Sequence, residues 1–201
     1  VYTDKEKGVE RIFPFDMFPR VISNEEWTNI EKGLEQRNRA INLFLLDLYN
    51  EKRILRQGIV PSDLIFSSKF YDKYMMDFKP IGGIYTHVVG TDLIKHSDGE
   101  YYVLEDNLRC PSGVSYVITN RETMKRLFSD LFFDYKIKTV VDYAQHLLKT
   151  IHSVVPNRGY NESPNCVVLT PGNFNSAYFE HTFLAQSMGI PLVEGRDLFV
   201  D

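Results

Sequence analysis

A turn signal in the middle of the chain restricts the possible folds more than any other feature. Ser97-Asp98-Gly99 lies between two runs rich in β-branched and aromatic residues, 83–96 and 100–107. An Asp-Gly pair between such runs is a strong indication of a β-hairpin, because both residues tolerate the positive φ angles of a tight turn. The sequence therefore predicts an antiparallel pair of strands here.

Helical patterns lie on both sides of this hairpin. Ser23 and Glu26 match a capping box ahead of a long amphipathic helix that we expect to end near Tyr49. Helical periodicity returns in 120–132 and in 141–154. In the first helix the apolar residues recur at three- and four-residue steps and so form one face: Trp27, Ile30, Leu34, Ile41, Phe44, Leu45 and Leu48.

The C-terminal part of the chain shows the pattern strand, helix, strand. An apolar strand at 166–170 precedes a helix at 176–189, and a second strand follows at 190–195. This order predicts a right-handed crossover connection and a parallel strand pair. The expected fold class is therefore α+β, an antiparallel sheet with helices, followed by an α/β unit at the C-terminus.

A segment rich in proline, glycine and asparagine, 156–165, is the predicted domain boundary. It separates residues 1–155, which contain the hairpin, from residues 156–201, which begin the α/β unit. With 201 residues the chain falls between one domain and two on the usual size range. Because the sequence stops soon after a strand-forming run, we expect it to be a piece of a longer protein.

Composition argues against several functional classes. The chain has 27 acidic and 23 basic residues, a net charge of −4, which argues against nucleic-acid binding through a basic surface. No stretch approaches the roughly 20 apolar residues of a membrane span, and the charged N-terminus does not resemble a signal peptide. Cys110 and Cys166 are the only cysteines and lie far apart, so we expect a reducing, cytoplasmic location.

Three oxygen-bearing side chains are expected to meet on the hairpin. Glu105 and Asn107 are separated by one residue, so a strand projects both from the same face. A turn at Asp98-Gly99 brings Asp92 close to the cross-strand position of Glu105 or Asn107. Two carboxylates and a carboxamide are hard oxygen donors of the kind that Mg²⁺ takes beside water and phosphate. The alternative is a solvated acidic surface, but an Asp-Asn pair is unfavourable inside a strand.

The loop after the hairpin adds a cation and a turn. Arg109, Ser112 and Gly113 lie in this loop, and its free backbone amides could hold an anionic group beside the metal. The alternative for Arg109 is a salt bridge to Asp106 or Glu105. Cys110 is expected to be a small packing residue rather than a nucleophile.

The pattern D-x12-E-x-N followed by a Pro/Ser/Gly loop resembles the metal-binding signature of the ATP-grasp superfamily. The chain is most similar to one branch of it, the circularly permuted type 2 ATP-grasp proteins, distant relatives of glutathionylspermidine synthetase. The matching stretches cover nearly the whole chain in order: FPFDMFPRVIS at 13–23, residues 26–50, residues 90–117 and residues 167–198.

This resemblance implies an Mg-ATP-dependent carboxylate–amine ligase that forms an acyl phosphate, with a nucleotide and a small carboxylate or peptide as substrates. By carry-over, Glu105 would bridge two Mg²⁺ ions, while Asp92 and Asn107 would each hold one. Arg109 would contact a phosphoryl group or the acceptor carboxylate, and Ser112 and Gly113 would line the same pocket. Residues 156–201 would begin a Rossmann-like pre-ATP-grasp domain.

The resemblance also implies that lysines of the nucleotide pocket follow Asp201, so the isolated chain is expected to be inactive. Two other functions stay open: a non-catalytic interaction domain with an ATP-grasp-like shell, and a metal-dependent hydrolase, for which only His87 and His96 are nearby. Glu180 and His181 are expected to serve structural pairing. The sequence assigns no role to four arginines and no oligomeric state; the arginines are Arg20, Arg37, Arg121 and Arg196.

Overall fold

A computed structural model describes residues 14–155 and 164–199. The described residues form two compact units, one made of residues 21–111 and the other of residues 14–20, 112–155 and 164–199. The predicted boundary at 156–165 lies largely on residues 156–163, outside the described residues. That boundary stays a prediction.

The long helix of the first unit begins at the predicted cap. The Glu26 amide donates to the Ser23 hydroxyl at 3.2 Å, and the Ser23 amide donates to the Glu26 carboxylate at 3.0 Å. Helix α1 spans Asn24–Tyr49, so both the capping box and the end near Tyr49 are confirmed. Ile30 and Leu48 of the predicted apolar face are buried, whereas Trp27 at the helix start stays 41% exposed.

The segment after α1 folds back on the end of that helix. The Asp47 carboxylate accepts from the backbone amides of Arg53 and Ile54 at 3.0 and 2.9 Å, and these bonds hold the pKa of Asp47 below its ordinary value. Tyr49 stacks on Tyr71 and on Tyr85, with ring centroids 5.3 and 5.6 Å apart. The elements of this segment are α2 (Arg53–Arg56), α3 (Ser62–Phe66) and 3-10 turns at Lys73–Met75 and Ile81–Gly83.

The predicted hairpin is present, but its first strand starts later than expected. Strands β1 (Gly90–Lys95) and β2 (Tyr101–Asn107) pair antiparallel. The backbone amides of Tyr85 and Thr86 donate to the Asn42 side chain of α1, at 2.7 and 3.1 Å. Because these amides bind a helix side chain, residues 83–89 do not extend β1.

The second unit is mainly helical. The periodicity at 120–132 corresponds to two helices that meet at Phe128, whose φ of −128° and ψ of 50° are not helical. The predicted helix at 141–154 is confirmed as Tyr143–Ser153. The helices of this part are α4 (Val114–Leu127), α5 (Ser129–Asp134) and α6 (Tyr143–Ser153).

The predicted strand–helix–strand pattern is also confirmed. Strands β3 (Val168–Thr170) and β4 (Leu192–Glu194) pair in parallel, joined by helix α7 (Tyr178–Met188). Gly189 ends α7 with a φ of 70°, a conformation that glycine adopts without a steric penalty. Helix α7 packs on α4, α6 and β3, and the buried apolar residues of this unit are Met124, Ala144, Ala185 and Met188.

The chain is thus α+β overall, with one antiparallel and one parallel strand pair in the described ranges. No helix within residues 14–155 and 164–199 has the length and apolar character needed to cross a membrane.

The tie between α1 and the hairpin should depend on pH. The Lys95 ammonium and the backbone and hydroxyl of Ser23 lower the pKa of Glu26 from 4.5 to about 2. A carboxylate whose pKa is lower in the folded state stabilises the fold at pH values above its pKa in the unfolded state. This contribution is lost as the pH falls through the pKa of the folded state. We therefore expect stability to fall between pH 4.5 and about 2, and Glu26→Gln to flatten this decline in urea unfolding. Glu25→Gln is the control, and parallel pH profiles for wild type and Glu26→Gln would contradict the prediction.

Candidate functional site

The hairpin turn contains three residues rather than two. The His96 amide donates to the Glu100 carbonyl at 2.9 Å, and the Gly99 amide donates to the His96 carbonyl at 3.0 Å. Gly99 has a φ of 88°, the left-handed conformation that such a turn requires at its last position. The turn sets the first pairs of the ladder, with Lys95 opposite Tyr101.

A β-bulge then changes the register. Leu93 pairs with Val103, but Asp92 pairs with Glu105, so Leu104 is the extra residue of β2. Had the register of the turn continued, Asp92 would lie opposite Leu104, and Glu105 would share the inward face of Val103. Because of the bulge, the residues of β2 that follow it point to the opposite face from the one this register would give. Glu105 therefore lies directly across from Asp92.

The structure brings the three predicted oxygen donors together. Asp92 and Glu105 form a cross-strand pair, and Asn107 follows two residues later, opposite Gly90. All three side chains are exposed on the outer face of the hairpin. The Asn107 amide nitrogen donates to the Gly90 carbonyl at 3.3 Å and lies 3.5 Å from the Glu105 carboxylate. Because its nitrogen takes both bonds, the amide oxygen of Asn107 remains available as an acceptor or ligand.

This donor set fits a hard divalent cation that keeps other ligands. Asp92 and Glu105 supply anionic oxygens, and Asn107 supplies a neutral one. Within the described residues, no group of three or more His, Cys, Asp or Glu side chains is arranged to hold a metal ion. The protein thus offers a partial coordination shell, which suits Mg²⁺ bound with water and phosphate.

The opposite face of β2 carries an ion pair with α1. Asp106 lies between Glu105 and Asn107 but points inward, and its side chain is only 11% exposed. Its carboxylate accepts from Arg37 Nε at 2.8 and 3.1 Å, from Arg37 Nη2 at 2.7 Å and from the Thr91 hydroxyl at 2.9 Å. The Arg37 hydrogen bonds hold the pKa of Asp106 below its ordinary value. Asp106 is thus paired with Arg37, and the alternative of an Arg109–Asp106 bridge is wrong.

The start of the loop after β2 is fixed by two contacts within the first unit. The Thr86 hydroxyl donates to the Leu108 carbonyl at 2.9 Å. A Cβ atom at Gly90 would lie 2.9 Å from Cβ of Pro111, closer than two carbon atoms can approach. Arg109 and Cys110 between these contacts are exposed, so the expectation that Cys110 packs in the interior is wrong.

The other two predicted site residues lie at the start of α4 in the second unit. The Gly113 amide donates to both oxygens of the Glu180 carboxylate, at 2.8 and 2.9 Å, and the Ser115 amide and hydroxyl donate at 3.0 and 2.7 Å. Glu180 is 6% exposed and Ser115 is 0% exposed. A protein carboxylate thus occupies the helix N-terminus, and the expected free amide at Gly113 is already bonded. That Ser112 and Gly113 line a phosphate pocket stays a prediction.

Glu180 and His181 do serve structural contacts, as expected, but not with each other. His181 Nδ1 lies 2.9 Å from the Thr170 hydroxyl, which also accepts from the Gly172 amide at 3.2 Å. These bonds tie α7 to the end of β3. Neither contact has a local sequence signal, because each partner lies on a different element.

Comparison with known proteins identifies relatives along the whole chain. The sequence profile described as "Circularly permuted ATP-grasp type 2" matches residues 19–201. An uncharacterized protein of Synechocystis sp. is 50% identical over 200 residues, which cover 100% of this chain and 41% of that protein. An uncharacterized protein of Mycobacterium tuberculosis is 49% identical over 193 residues, 96% of this chain and 34% of the relative.

A more distant relative has a functional name. A protein of Frankia casuarinae, provisionally named glutamate–cysteine ligase 2-2, is 35% identical over 201 residues, 100% of this chain and 23% of that protein. The chain therefore spans less than half the length of each of these relatives.

Two glycines should respond oppositely to the same substitution. Gly90→Ala places a methyl group against Pro111 and should destabilise the protein by about 1–3 kcal/mol, the usual cost of overpacking. Gly33→Ala, within α1, meets nothing within 4 Å and should stabilise by about 0.5–1 kcal/mol through helix propensity. Urea unfolding measures both. Equal effects would show that the Gly90–Pro111 approach imposes no constraint.

Removal of the Glu180 carboxylate should destabilise the second unit strongly. Glu180→Ala leaves the Gly113 and Ser115 amides and the Ser115 hydroxyl without their acceptor, at a cost of at least about 2 kcal/mol. Asp134→Ala, at an exposed acidic residue of α5, should change stability by less than about 0.5 kcal/mol. Thermal unfolding of both variants tests this, and similar losses would refute a specific capping role for Glu180.

Proposed function

Because the chain belongs to the circularly permuted type 2 ATP-grasp family, we propose that it supplies the magnesium-binding part of an ATP-dependent carboxylate–amine ligase. One observation carries the proposal: Asp92 lies directly across from Glu105, with Asn107 on the same exposed face. These are the three residues that match the metal-binding signature of the family.

The electrostatics of the hairpin support a bound cation. Like charges directly opposite each other in an antiparallel pair destabilise it. In the described part of the chain, neither Asp92 nor Glu105 forms an ion pair, whereas Asp106 between Glu105 and Asn107 is paired with Arg37. The outer face therefore keeps its negative charge available, and Mg²⁺ bound there would neutralise the phosphates of ATP.

The proposed reaction has two steps. An oxygen of the substrate carboxylate attacks the γ-phosphorus of ATP, and ADP leaves, which gives an acyl phosphate. The nitrogen of an amine then attacks the acyl carbon, and phosphate leaves as the amine loses a proton. We propose that the exposed Arg109 binds the transferred phosphoryl group or the acceptor carboxylate, and that Ser112 and Gly113 contribute to substrate or phosphate binding.

The substrates are proposed as a class. The name of the Frankia relative is that of a ligase for glutamate and cysteine, a pairing of carboxylate and amine that suits the reaction above. For this chain we propose a small carboxylate or peptide as acceptor and a nucleotide as the second substrate.

The exposed Cys110 and the partly exposed Cys166 are free thiols, which supports a cytoplasmic location.

We further propose that this sequence works within a longer polypeptide. It corresponds to 41%, 34% and 23% of the length of the relatives described above. Residues 1–155 would form the permuted ATP-grasp portion and residues 156–201 the start of the pre-ATP-grasp domain, with further nucleotide-binding residues beyond. The 201-residue chain alone would then not turn over ATP.

Metal binding tests the proposal directly. Mn²⁺ in place of Mg²⁺ broadens the NMR signals of nearby amides, so we expect selective loss at Asp92, Glu105 and Asn107. Glu105→Gln should weaken the Mn²⁺ affinity by more than about 10-fold, since it removes one of two anionic ligands. In the longer polypeptide it should abolish carboxylate-dependent release of ADP while circular dichroism stays unchanged.

Glu100→Gln is the matched control, because it removes the same charge from an exposed residue beside the hairpin turn. It should leave Mn²⁺ affinity and turnover unchanged. Broadening spread over all acidic residues, or full turnover by Glu105→Gln, would refute the metal site. Retained folding without any ATP turnover in the longer wild-type polypeptide would favour the non-catalytic scaffold.

A further inference from the structure

The position of the proposed metal ligands depends on a residue that lies on the other side of the hairpin. Asp106 separates Glu105 from Asn107, and successive residues of a strand point to opposite faces. Whatever holds Asp106 inward therefore holds its two neighbours outward. Arg37 and Thr91 hold the Asp106 carboxylate through hydrogen bonds and an ion pair, with four distances between 2.7 and 3.1 Å.

The Arg37–Asp106 contact distinguishes between two registers of the hairpin. With the register set by the turn, Glu105 would lie across from Thr91 on the inward face, and Asp106 would point outward. A slip of one residue moves every side chain of a strand to the other face. In that arrangement the Arg37 guanidinium would face the Glu105 carboxylate instead, which would withdraw one of the proposed ligands, and the Asp106 charge would join the exposed face. The Arg37–Asp106 pair requires one extra residue in β2 before Asp106, and Leu104 is that residue.

We propose that Arg37 is a positioning residue for the metal site: by pairing with Asp106 it holds that residue on the inward face and thereby directs Glu105 and Asn107 to the outer face with Asp92. This inference rests on the proposed function of those three residues. Among the described residues, Arg37 forms its hydrogen bonds and ion pair with Asp106 and not with the three ligands, so it acts through the backbone of β2. The planar guanidinium binds the Asp106 carboxylate with two nitrogens, which restrains its direction as well as its distance.

A second contact from α1 restrains the same end of the hairpin. Asn42, five positions after Arg37, accepts from the Tyr85 and Thr86 amides, and its own amide nitrogen lies 3.3 Å from the Thr86 carbonyl. The Thr86 hydroxyl in turn donates to the Leu108 carbonyl at 2.9 Å. Through Thr86, Asn42 thus restrains Leu108, which follows the ligand Asn107. Arg37 restrains Asp106, which lies between the ligands Glu105 and Asn107. Of these two contacts from α1, the Arg37 contact is the one that lies beside the bulge.

The test measures register and metal affinity in Arg37→Met, which keeps the aliphatic stem and removes the guanidinium. Cross-strand NOEs between Gly90 and Asn107 and between Asp92 and Glu105 report the register in the absence of metal. Mn²⁺ titration, followed by broadening of the outer-face amides, reports the affinity. Both are measured under conditions in which circular dichroism shows the native signal, so that a loss of stability alone changes neither.

We expect Arg37→Met to lose or halve the cross-strand NOEs at the bulge and to bind Mn²⁺ about 10-fold more weakly, as variants that disturb ligand orientation do. Arg39→Met is the matched control, since Arg39 is an exposed arginine of the same helix that forms no ion pair among the described residues. It should match wild type in both readouts. Arg37→Lys keeps the charge but not the two-nitrogen geometry, and should show an intermediate affinity.

The outcomes separate the two proposals. Wild-type Mn²⁺ binding that is lost in Glu105→Gln but unchanged in Arg37→Met would overturn the positioning role and leave the metal site intact. Wild type that binds no Mn²⁺ at the outer face would overturn the metal site, and the positioning role with it. If Arg37→Met does not fold, Arg37→Lys decides: wild-type affinity and NOEs in that variant would overturn the inference.

Discussion

The β-bulge at Leu104 is the constraint on which the proposed site depends. A three-residue turn at Ser97–Gly99 gives the hairpin one register, and the extra residue in β2 changes it before the acidic residues are reached. The three-residue turn or the bulge by itself would place Asp92 and Glu105 on different faces of the hairpin. Together they give an inward face from which Asp106 and Lys95 pair with α1, and an outward face with three oxygen donors.

Helix α1 supports this arrangement through polar contacts. Its capping box ties Glu26 to the helix start, and the same carboxylate reaches Lys95 of β1. Arg37 and Asn42 then bind the hairpin and the chain before it. The charges of the hairpin are therefore divided by face. Asp106 and Lys95 are paired with α1, and Asp92 and Glu105 remain on the outer face.

The second unit uses a carboxylate for the opposite purpose. Glu180 is buried and bonded to the start of α4 at Gly113 and Ser115. A helix N-terminus attracts anions, and here the protein supplies the anion itself. The loop that carries Gly113 is thus held by α7 rather than presented as an empty anion site. A phosphate pocket at Ser112 and Gly113 would have to use groups other than the Gly113 amide.

The sequence by itself determined the main elements and the donor set, because these follow from local rules, but not the start of β1 or the break at Phe128. The capping box at Ser23, the Asp-Gly turn and the strand–helix–strand order each depend on residues close together in the chain, as does the choice of Glu105 and Asn107. Tertiary structure decided the rest. The bulge at Leu104 appears only in the pairing of the two strands, and the partner of Asp106 and the cap supplied by Glu180 lie 65 to 69 positions away in sequence. Such contacts leave no periodic pattern in either segment, and only the packed chain brings the partners within hydrogen-bonding distance.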